Sequence, residues 1–423
     1  MNTIFPRGKL GAGVLRVYCG IASLMLVAGN AEAATPGSSF LGLGILPGMQ
    51  SSAAYAISSD GSVAVGASDT LGLRYTSQAI AWSSTGVKSV LGVLPGHTDA
   101  DAIGVSANGA VIVGNSSVNS NPDTQAYRWT ASTGITGLGF VAGGNRSSAN
   151  AVSSDGNIIA GTSGFFSVNG ASPSFSQAAR WSAADNTWTG LGYLPGNTTL
   201  SPFSFSTDIS DDGSTIVGAS SSPNAQPSPQ SLPNNSFIGS EAFRWTQSTG
   251  LVGLGDLPGG IFSSTATGAS ADGSVVVGVG NSDPTAGTEE AFRWTQDGGI
   301  QGLGFLAGQS KSYANGVSAD GTLVVGASGG IATLWTAGTG TVNLQGIITQ
   351  TYGLDLTGWT LISATDISAD GATIVGYGLD PLGKEQAWIA HVAAVPVPAA
   401  LPLLFSGLVG LGFLRRKKSV NIN

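Results

Sequence analysis

Ser270-Ala271-Asp272-Gly273-Ser274-Val275-Val276-Val277-Gly278, followed by Glu290-Ala291-Phe292-Arg293-Trp294-Thr295, is the stretch that decides the fold. An Asp-Gly pair flanked by apolar β-formers asks for a tight primed turn, because Asp and Gly tolerate the positive φ that such turns need. The flanks are therefore the first two strands of a unit. The Trp-bearing block alternates with the period of a third strand. A polar turn ending in Gly then leads to a fourth, Gly-rich strand, as in Leu251-Val252-Gly253-Leu254-Gly255-Asp256-Leu257, closed by Pro258-Gly259.

The same unit recurs along the chain. Asx-Gly dipeptides stand at Asp60, Asn108, Asp155, Asp212, Asp272, Asp320 and Asp370, at spacings of 48, 47, 57, 60, 48 and 50 residues. A Trp follows each, at Trp82, Trp129, Trp181, Trp245, Trp294, Trp335 and Trp388, so seven of the nine Trp share one predicted address. A four-stranded repeat of about 50 residues tagged by Gly and an aromatic predicts a β-propeller, whose sheets bury their faces against neighbours.

Ring closure is testable at the ends of the repeat array. The seventh unit runs from Trp388 into Val395-Pro396 without a fourth strand, whereas Phe40-Leu41-Gly42-Leu43-Gly44-Ile45-Leu46-Pro47-Gly48 is a fourth strand with no unit before it. The deficits match. The expected fold is all-β: a seven-bladed β-propeller of four-stranded antiparallel blades over residues 34–394, with N-terminal strand velcro closure that removes two sheet edges. A linear solenoid would want caps at both ends instead.

Composition agrees with that class. The 423 residues include 65 Gly and only 9% charged side chains, too few for long Lys/Glu-faced helices, while 42% apolar residues suffice for a core. Seven of the 16 Lys/Arg sit near the termini, which leaves nine against 23 acids in the body, a net charge of about −14. Nucleic acid is excluded as a partner, since phosphate neutralisation needs a basic face.

Both ends read as addresses. Residues 1–33 combine a basic start, an apolar stretch from Val17 to Ala28 and the small-x-small pattern Ala31-Glu32-Ala33, as in a signal peptide cut after Ala33 or Ala34. The other reading is an N-terminal anchor, for which the apolar stretch is shorter than the ~20 residues of a spanning helix. Cys19, the single cysteine, leaves with the signal, so the mature chain has no disulfide or thiol. At the other end, Val395-Pro396-Val397-Pro398 precedes an apolar run, Ala399 to Leu414, and then Arg415-Arg416-Lys417-Lys418. A transmembrane helix over 399–414 would place that basic cluster and the tail end 419–423 on the cytoplasmic side and the body outside.

The tripartite tail over 395–418 resembles the PEP-CTERM sorting signal, in which a Pro-rich motif, a membrane helix and an Arg-rich end direct a Gram-negative surface protein to an exosortase. Val397 stands where that motif usually carries Glu. The resemblance implies a signal peptidase and an exosortase-type enzyme as partners, the inner membrane as a transient station, and the cell surface or extracellular matrix as destination. A plain, uncut anchor is the alternative. The blocks Ser-Ala-Asp-Gly-Ser-Val-Val-Val-Gly, Glu-Ala-Phe-Arg-Trp-Thr and Leu-Gly-x-Leu-Pro-Gly-Gly are similar to the extracellular HAF-repeat family. So is the stretch from Gly358-Trp359-Thr360-Leu361 to Gly376-Tyr377-Gly378, which resembles the terminal repeat of such proteins.

No catalytic constellation is found. His97 and His391 lie in different repeats, so neither a multi-His zinc site nor a His-based triad is supported. The hairpin Asp residues recur with the turn, which points to turn geometry rather than to paired acid/base carboxylates. Asp208, Asp211 and Asp212 form the densest acidic patch but lack the spacing of a calcium loop. No metal or cofactor is expected. The Arg-Trp pairs, such as Arg244-Trp245, are read as core plus inter-blade packing, because adjacent strand residues face opposite ways.

Function is expected where repeats differ. The join between second and third strands ranges from about five residues (Ser328 to Ala332) to over twenty (Ser220 to Glu241), and it emerges on the same face as the Leu-Pro-Gly linkers. Loops on a rigid scaffold are the usual binding surface. Phe165, Phe166, Phe175, Phe203, Phe205 and Phe237 mark a candidate binding rim on blades three to five. The expected function is a non-catalytic surface or matrix propeller that binds or structures exopolysaccharide in a biofilm. The alternatives are a propeller polysaccharide hydrolase or lyase, and an inert structural coat protein.

Overall fold

The computed structural model describes residues 37–70, 76–118, 124–165, 175–196, 202–224, 239–283 and 288–392. The signal segment 1–33, the sorting tail 395–418 and the membrane helix placed at 399–414 lie outside them. Among the described residues no helix is long and apolar enough to cross a membrane.

Seven antiparallel four-stranded sheets follow one another as blades, and the last is completed from the start of the chain. Blade one runs Ser51–Ile57, Val63–Asp69, Ser77–Ser83 and Lys88–Val90. Blade seven takes Thr360–Ile367, Thr373–Leu379 and Glu385–His391 from the end of the propeller and Ser39–Gly42 from its beginning. That N-terminal strand pairs with the last one from Ser39↔His391 to Gly42↔Trp388. Phe40 anchors it, its ring 5.2 Å from Trp359 and 6.2 Å from Trp388.

The core is divided among seven apolar clusters, each mixing residues of two successive blades. The one joining blade seven to blade one packs Val375, Ala387 and Ile389 on Ala54, Ile80 and Trp82. Burial between blades thus ties the ring together without a shared centre. Serine supplies the polar half. Oγ atoms of Ser52, Ser147, Ser204, Ser264 and Ser312, at the start of inner strands, accept the N–H of Ala387, Ala126, Ala178, Ala242 and Ala291 on the preceding blade. Neutral hydroxyls do what ion pairs do elsewhere, and Lys311–Glu289 is the one salt bridge among the described residues.

Every inner strand carries a β-bulge at one place. The register slips at Tyr55, Ile103, Asn150, Thr207, Thr267, Asn315 and Thr365, each five residues before its Asx. The bulge explains the Gly that ends each β-branched run. At Gly218, for example, an added Cβ would overlap the carbonyl oxygen of Phe205, and Gly326 stands in the same relation to Tyr313.

Four expectations are corrected. The Asx-Gly turns are not primed: the Gly of each pair has φ between 64° and 74°, as at Gly61 and Gly273, while Asp60, Asp272 and the other Asx residues keep negative φ. Most fourth strands are shorter than the sequence suggested: Gly250–Gly253 pairs, Leu254 N–H makes a last bond to Ala242 O, and the Leu254 and Leu257 side chains plug the next interface. Between blades six and seven the linker includes a helix, Leu344–Gln350, started by the Asn343 side chain accepting the Gly346 N–H and buried through Leu344 and Ile348. The Trp address is shared by six residues, which pair with Ala64, Ile112, Ile159, Ile216, Val276 and Val324. Trp388 instead pairs with Gly376, the site filled by Phe243 and Phe292 in blades four and five. A bulky ring opposite the bulge-facing Gly is tolerated there because Gly presents no side chain.

Candidate functional site

Antiparallel order places the Asx-Gly turns on one face of the propeller, here the turn face, and the joins and linkers on the other, the loop face. At each turn face hairpin a serine hydroxyl and the Asx side chain cooperate. Ser153 Oγ donates to Asp155 Oδ1 at 2.6 Å and accepts the N–H of Ile158, while Asp155 Oδ1 accepts the N–H of Asn157. These bonds, the Ser153 one first, hold the Asp155 carboxyl below its ordinary range; Asp320 and Asp370 are lowered in the same manner, and Asp272 by the Ser274 hydroxyl and amide ahead of Ser270. Asp60 and Asp212 are also lowered, partial burial being outweighed by their hydroxyl and amide donors. Asn108 accepts the Ala110 N–H at 3.0 Å in the equivalent turn.

The Asx residues and those just before them close a ring. Asp60 N–H donates to Ala107 O, Ala107 to Ser154, Ser154 to Asp211, Asp212 to Ala271, Ala271 to Ala319, Ala319 to Ala369 and Ala369 to Ser59, at 3.0–3.4 Å. Seven backbone hydrogen bonds therefore link all seven blades around the turn-face mouth of the central channel. Ser59 Oγ also reaches Asp211 Oδ1 at 3.3 Å, joining blades one and four across that mouth.

The channel has a cavity volume of about 240 Å³ and is lined by the seven bulge residues. Five of them bind the following blade, among them Asn150 Nδ2 to Ser206 O (2.6 Å) and Thr207 Oγ1 to Ala266 O (2.8 Å). One step further along the strand most blades carry Ala or Gly, but blades four and seven carry Asp208 and Asp366. Asp208 Oδ2 accepts the N–H of Ala269 at 2.8 Å, and Asp366 Oδ2 that of Ile57 at 2.9 Å. Both keep some contact with the lumen yet lie deep in the molecule, and burial pushes their carboxyls up to about 6 and about 7. The acidic patch seen in sequence is thereby divided: Asp208 and Asp211 line the channel with Asp366, while Asp212 belongs to its turn.

The candidate rim forms two pairs. Phe165 stacks on Phe175 and Phe203 on Phe205, each at 6.5 Å between ring centres. Phe166 and Phe237 lie outside the described residues. Beside the first pair, Phe175, Arg146, Thr124 and Ser148 line a hollow of about 210 Å³. Both histidines meet hydroxyls, His97 that of Ser116 at 3.1 Å and His391 that of Thr373 at 3.0 Å. Two arginines of the Arg-Trp pairs are inter-blade ties: Arg244 Nε donates to Gly273 O and Arg293 Nε to Gly321 O, each on the next blade's turn, whereas Arg128 Nε is buried without a hydrogen-bond partner among the described residues. Among the Trp residues, Trp82, Trp181, Trp245 and Trp388 are buried, and Trp129, Trp294 and Trp335 pack partly exposed on interface clusters. Sequence reasoning missed the bulge residues and the hydrogen-bonded ring. Alignment of the repeats on Asx-Gly exposes both, since each falls at a fixed offset.

The chain is thus a seven-bladed β-propeller closed by its own N-terminal strand. Solved structures similar to it include the β-propeller domain of the trilobed protease from Pyrococcus furiosus, with 9% identity, TM-score 0.52, and coverage of 81% of this chain and 95% of that one. That domain is described as having an open velcro topology, in contrast to the strand exchange seen here. Oligogalacturonate lyase in complex with manganese is also similar, with 11% identity, TM-score 0.49, and coverage of 85% and 95%. At such identities the likeness shows the fold alone. No family model and no curated protein matches the chain.

Proposed function

We propose that this propeller is an exported, non-catalytic protein that binds polysaccharide of the extracellular matrix through its loop face. The observation that carries the proposal is the unequal use of the two faces. The turn face is spent on repeated hydrogen bonds, whereas aromatic pairs and hollows collect on the loop face. Aromatic rings with a few polar neighbours suit sugars, whose C–H faces pack on rings and whose hydroxyls seek donors and acceptors. The signal-like residues 1–33 and the sorting-like tail 395–418 support export and display at the surface of a Gram-negative bacterium, with cleavage by signal peptidase and an exosortase-type enzyme. The Phe rim, whose described members lie on blades three and four, is one contact patch in this proposal.

A polysaccharide hydrolase or lyase needs carboxylates that meet a polymer chain and exchange protons with it. Asp208 and Asp366 are instead held by the backbone amides of Ala269 and Ile57 on the following blades and lie deep in the channel wall. The test is retention of the protein on a panel of polysaccharides, including the producer's own exopolymer, with assay of reducing and unsaturated ends. Retention without new ends is expected; released product would contradict the non-catalytic proposal. Mass spectrometry of the mature protein is expected to find a start at Ala34 or Thr35 and loss of the tail.

A further inference from the structure

We infer that the hollow where blades six, seven and one meet is a subsite for a neutral saccharide, lined by Tyr55, Tyr313 and Tyr377. The inference deepens the proposed polysaccharide binding and rests on it. It starts from the equivalences that the strand register imposes. At the bulge, six blades carry Ile, Asn or Thr, and blade one carries Tyr55. Two residues earlier, blades one to five and seven carry Ala53, Asp101, Ser148, Phe205, Thr265 and Ser363, and blade six carries Tyr313. On the second strand, Ala67, Asn115, Thr162, Ala219, Val279 and Ala327 have Tyr377 as their counterpart in blade seven. Three separate departures from the repeat, each to Tyr and each on a different blade, line one cavity of about 470 Å³.

Two backbone features open that cavity. The join of blade six is only Gly329-Gly330, shorter than the sequence suggested, so that join leaves the notch uncovered, and Gly330 forms part of its wall. Blade seven's inner strand has a second register slip, at Ile362, which no other described inner strand shows. A bulge re-aims its side chain, and Ile362 lines the cavity.

The chemistry of the lining selects the ligand. Its volume lies within the ~300–1,000 Å³ of small-molecule sites, and aromatic walls with a few fixed polar groups are the usual make-up of such sites. Asn315 Nδ2 is held by Ala364 O (2.8 Å) and Ser363 Oγ (3.1 Å), and Thr365 Oγ1 by Ala54 O (2.8 Å), so the polar edge is fixed before a ligand arrives. The Tyr313 hydroxyl donates to the Glu289 carboxylate, which also pairs with Lys311 at 3.1 Å. Lys311 is thereby neutralised. With that pair neutral overall and a body of about −14 net charge around it, polyanions are repelled and an uncharged pyranose chain is favoured.

The test uses the full chain and its Tyr313→Ala and Tyr377→Ala variants, with Phe165→Ala as a rim comparison. An Ala327→Leu variant fills the notch without removing a Tyr, in case truncation harms the fold; circular dichroism and melting are recorded for each. Retention is measured on neutral glucans and galactans, polygalacturonate and the producer's exopolymer. Neutral hexasaccharides are titrated by calorimetry. Losing one buried aromatic contact is expected to weaken neutral-glycan binding about tenfold or more, with Ala327→Leu matching the Tyr variants and polygalacturonate not retained. Retention unchanged in all the notch variants overturns the subsite while leaving polysaccharide binding intact. Failure of the parent chain on every polymer overturns the function proposed above. In that case the hexasaccharide titration decides the subsite: heat that the notch variants abolish supports it, and no heat overturns it.

Discussion

The two faces of this propeller are built from the same repeats and differ in how strictly they repeat. On the turn face, Ser-x-Asx-Gly recurs in seven blades, and the Asx residues and those just before them close a backbone ring. On the loop face, the join shrinks to Gly329-Gly330 in blade six and extends from Ser222 to Gly239 in blade four. Repetition marks where the chain must make the same bond seven times, and departure from repetition marks where one blade is released from that duty. The comparison therefore assigns stability to the turn face, and the proposed function places recognition on the other.

The strongest way to break this division is to open the ring. Deleting residues 37–43 removes the strand that pairs with Glu385–His391 and the Phe40 anchor, leaving two unpaired edges. Loss of a single cooperative melting transition is expected, with binding lost as a consequence. Next, Trp82→Ala empties a fully buried site between blades seven and one and is expected to cost about 3–5 kcal/mol in denaturant unfolding. The same change at Trp335, which is partly exposed, is expected to cost less. A turn-face change, Ser153→Ala, removes the hydroxyl shared by Asp155 and Ile158 and is expected to cost about 1 kcal/mol without altering glycan retention.

The smallest effect is on pH dependence. Asp366 and Asp208 have folded values of about 7 and about 6 against an ordinary 3.8, so the native state binds more protons than the unfolded one between those limits. Their contribution makes stability fall as pH rises from about 4 to about 7, and Asp366→Asn is expected to flatten the melting temperature over that window. The turn carboxylates act oppositely. Asp155, Asp272 and Asp320 lie below 3.8 when folded, so the stability they add is present above that value and is lost as pH falls through their lowered values. A melting profile that rises toward alkaline pH would contradict the channel part of this assignment.

The blades, their number and the closure were legible because they depend on local chemistry: Asx-Gly demands a turn, β-branched runs demand strands, and the unmatched strand around Phe40 demanded a partner. Strand ends were less legible. Leu254 and Leu257 continue the apolar pattern of Gly250–Gly253, yet their side chains serve the neighbouring interface. Trp388 carried the right residue type at a site shifted by one strand period, since the sequence marks an aromatic without fixing its register. The tyrosine notch was hidden for a further reason. Tyr55 meets Tyr313 and Tyr377 only because the ring closes, so no window of sequence contains them together.

Hydrogen exchange of the full chain, with and without the producer's exopolymer or a neutral hexasaccharide, tests the division of faces most directly. The account predicts added protection along 311–317, 325–331 and 360–365 on the loop side of blades six and seven, with the Asx-Gly turns unchanged. Protection centred on the turns around Asp60, Asp212 and Asp320, with the notch strands unaffected, would contradict it.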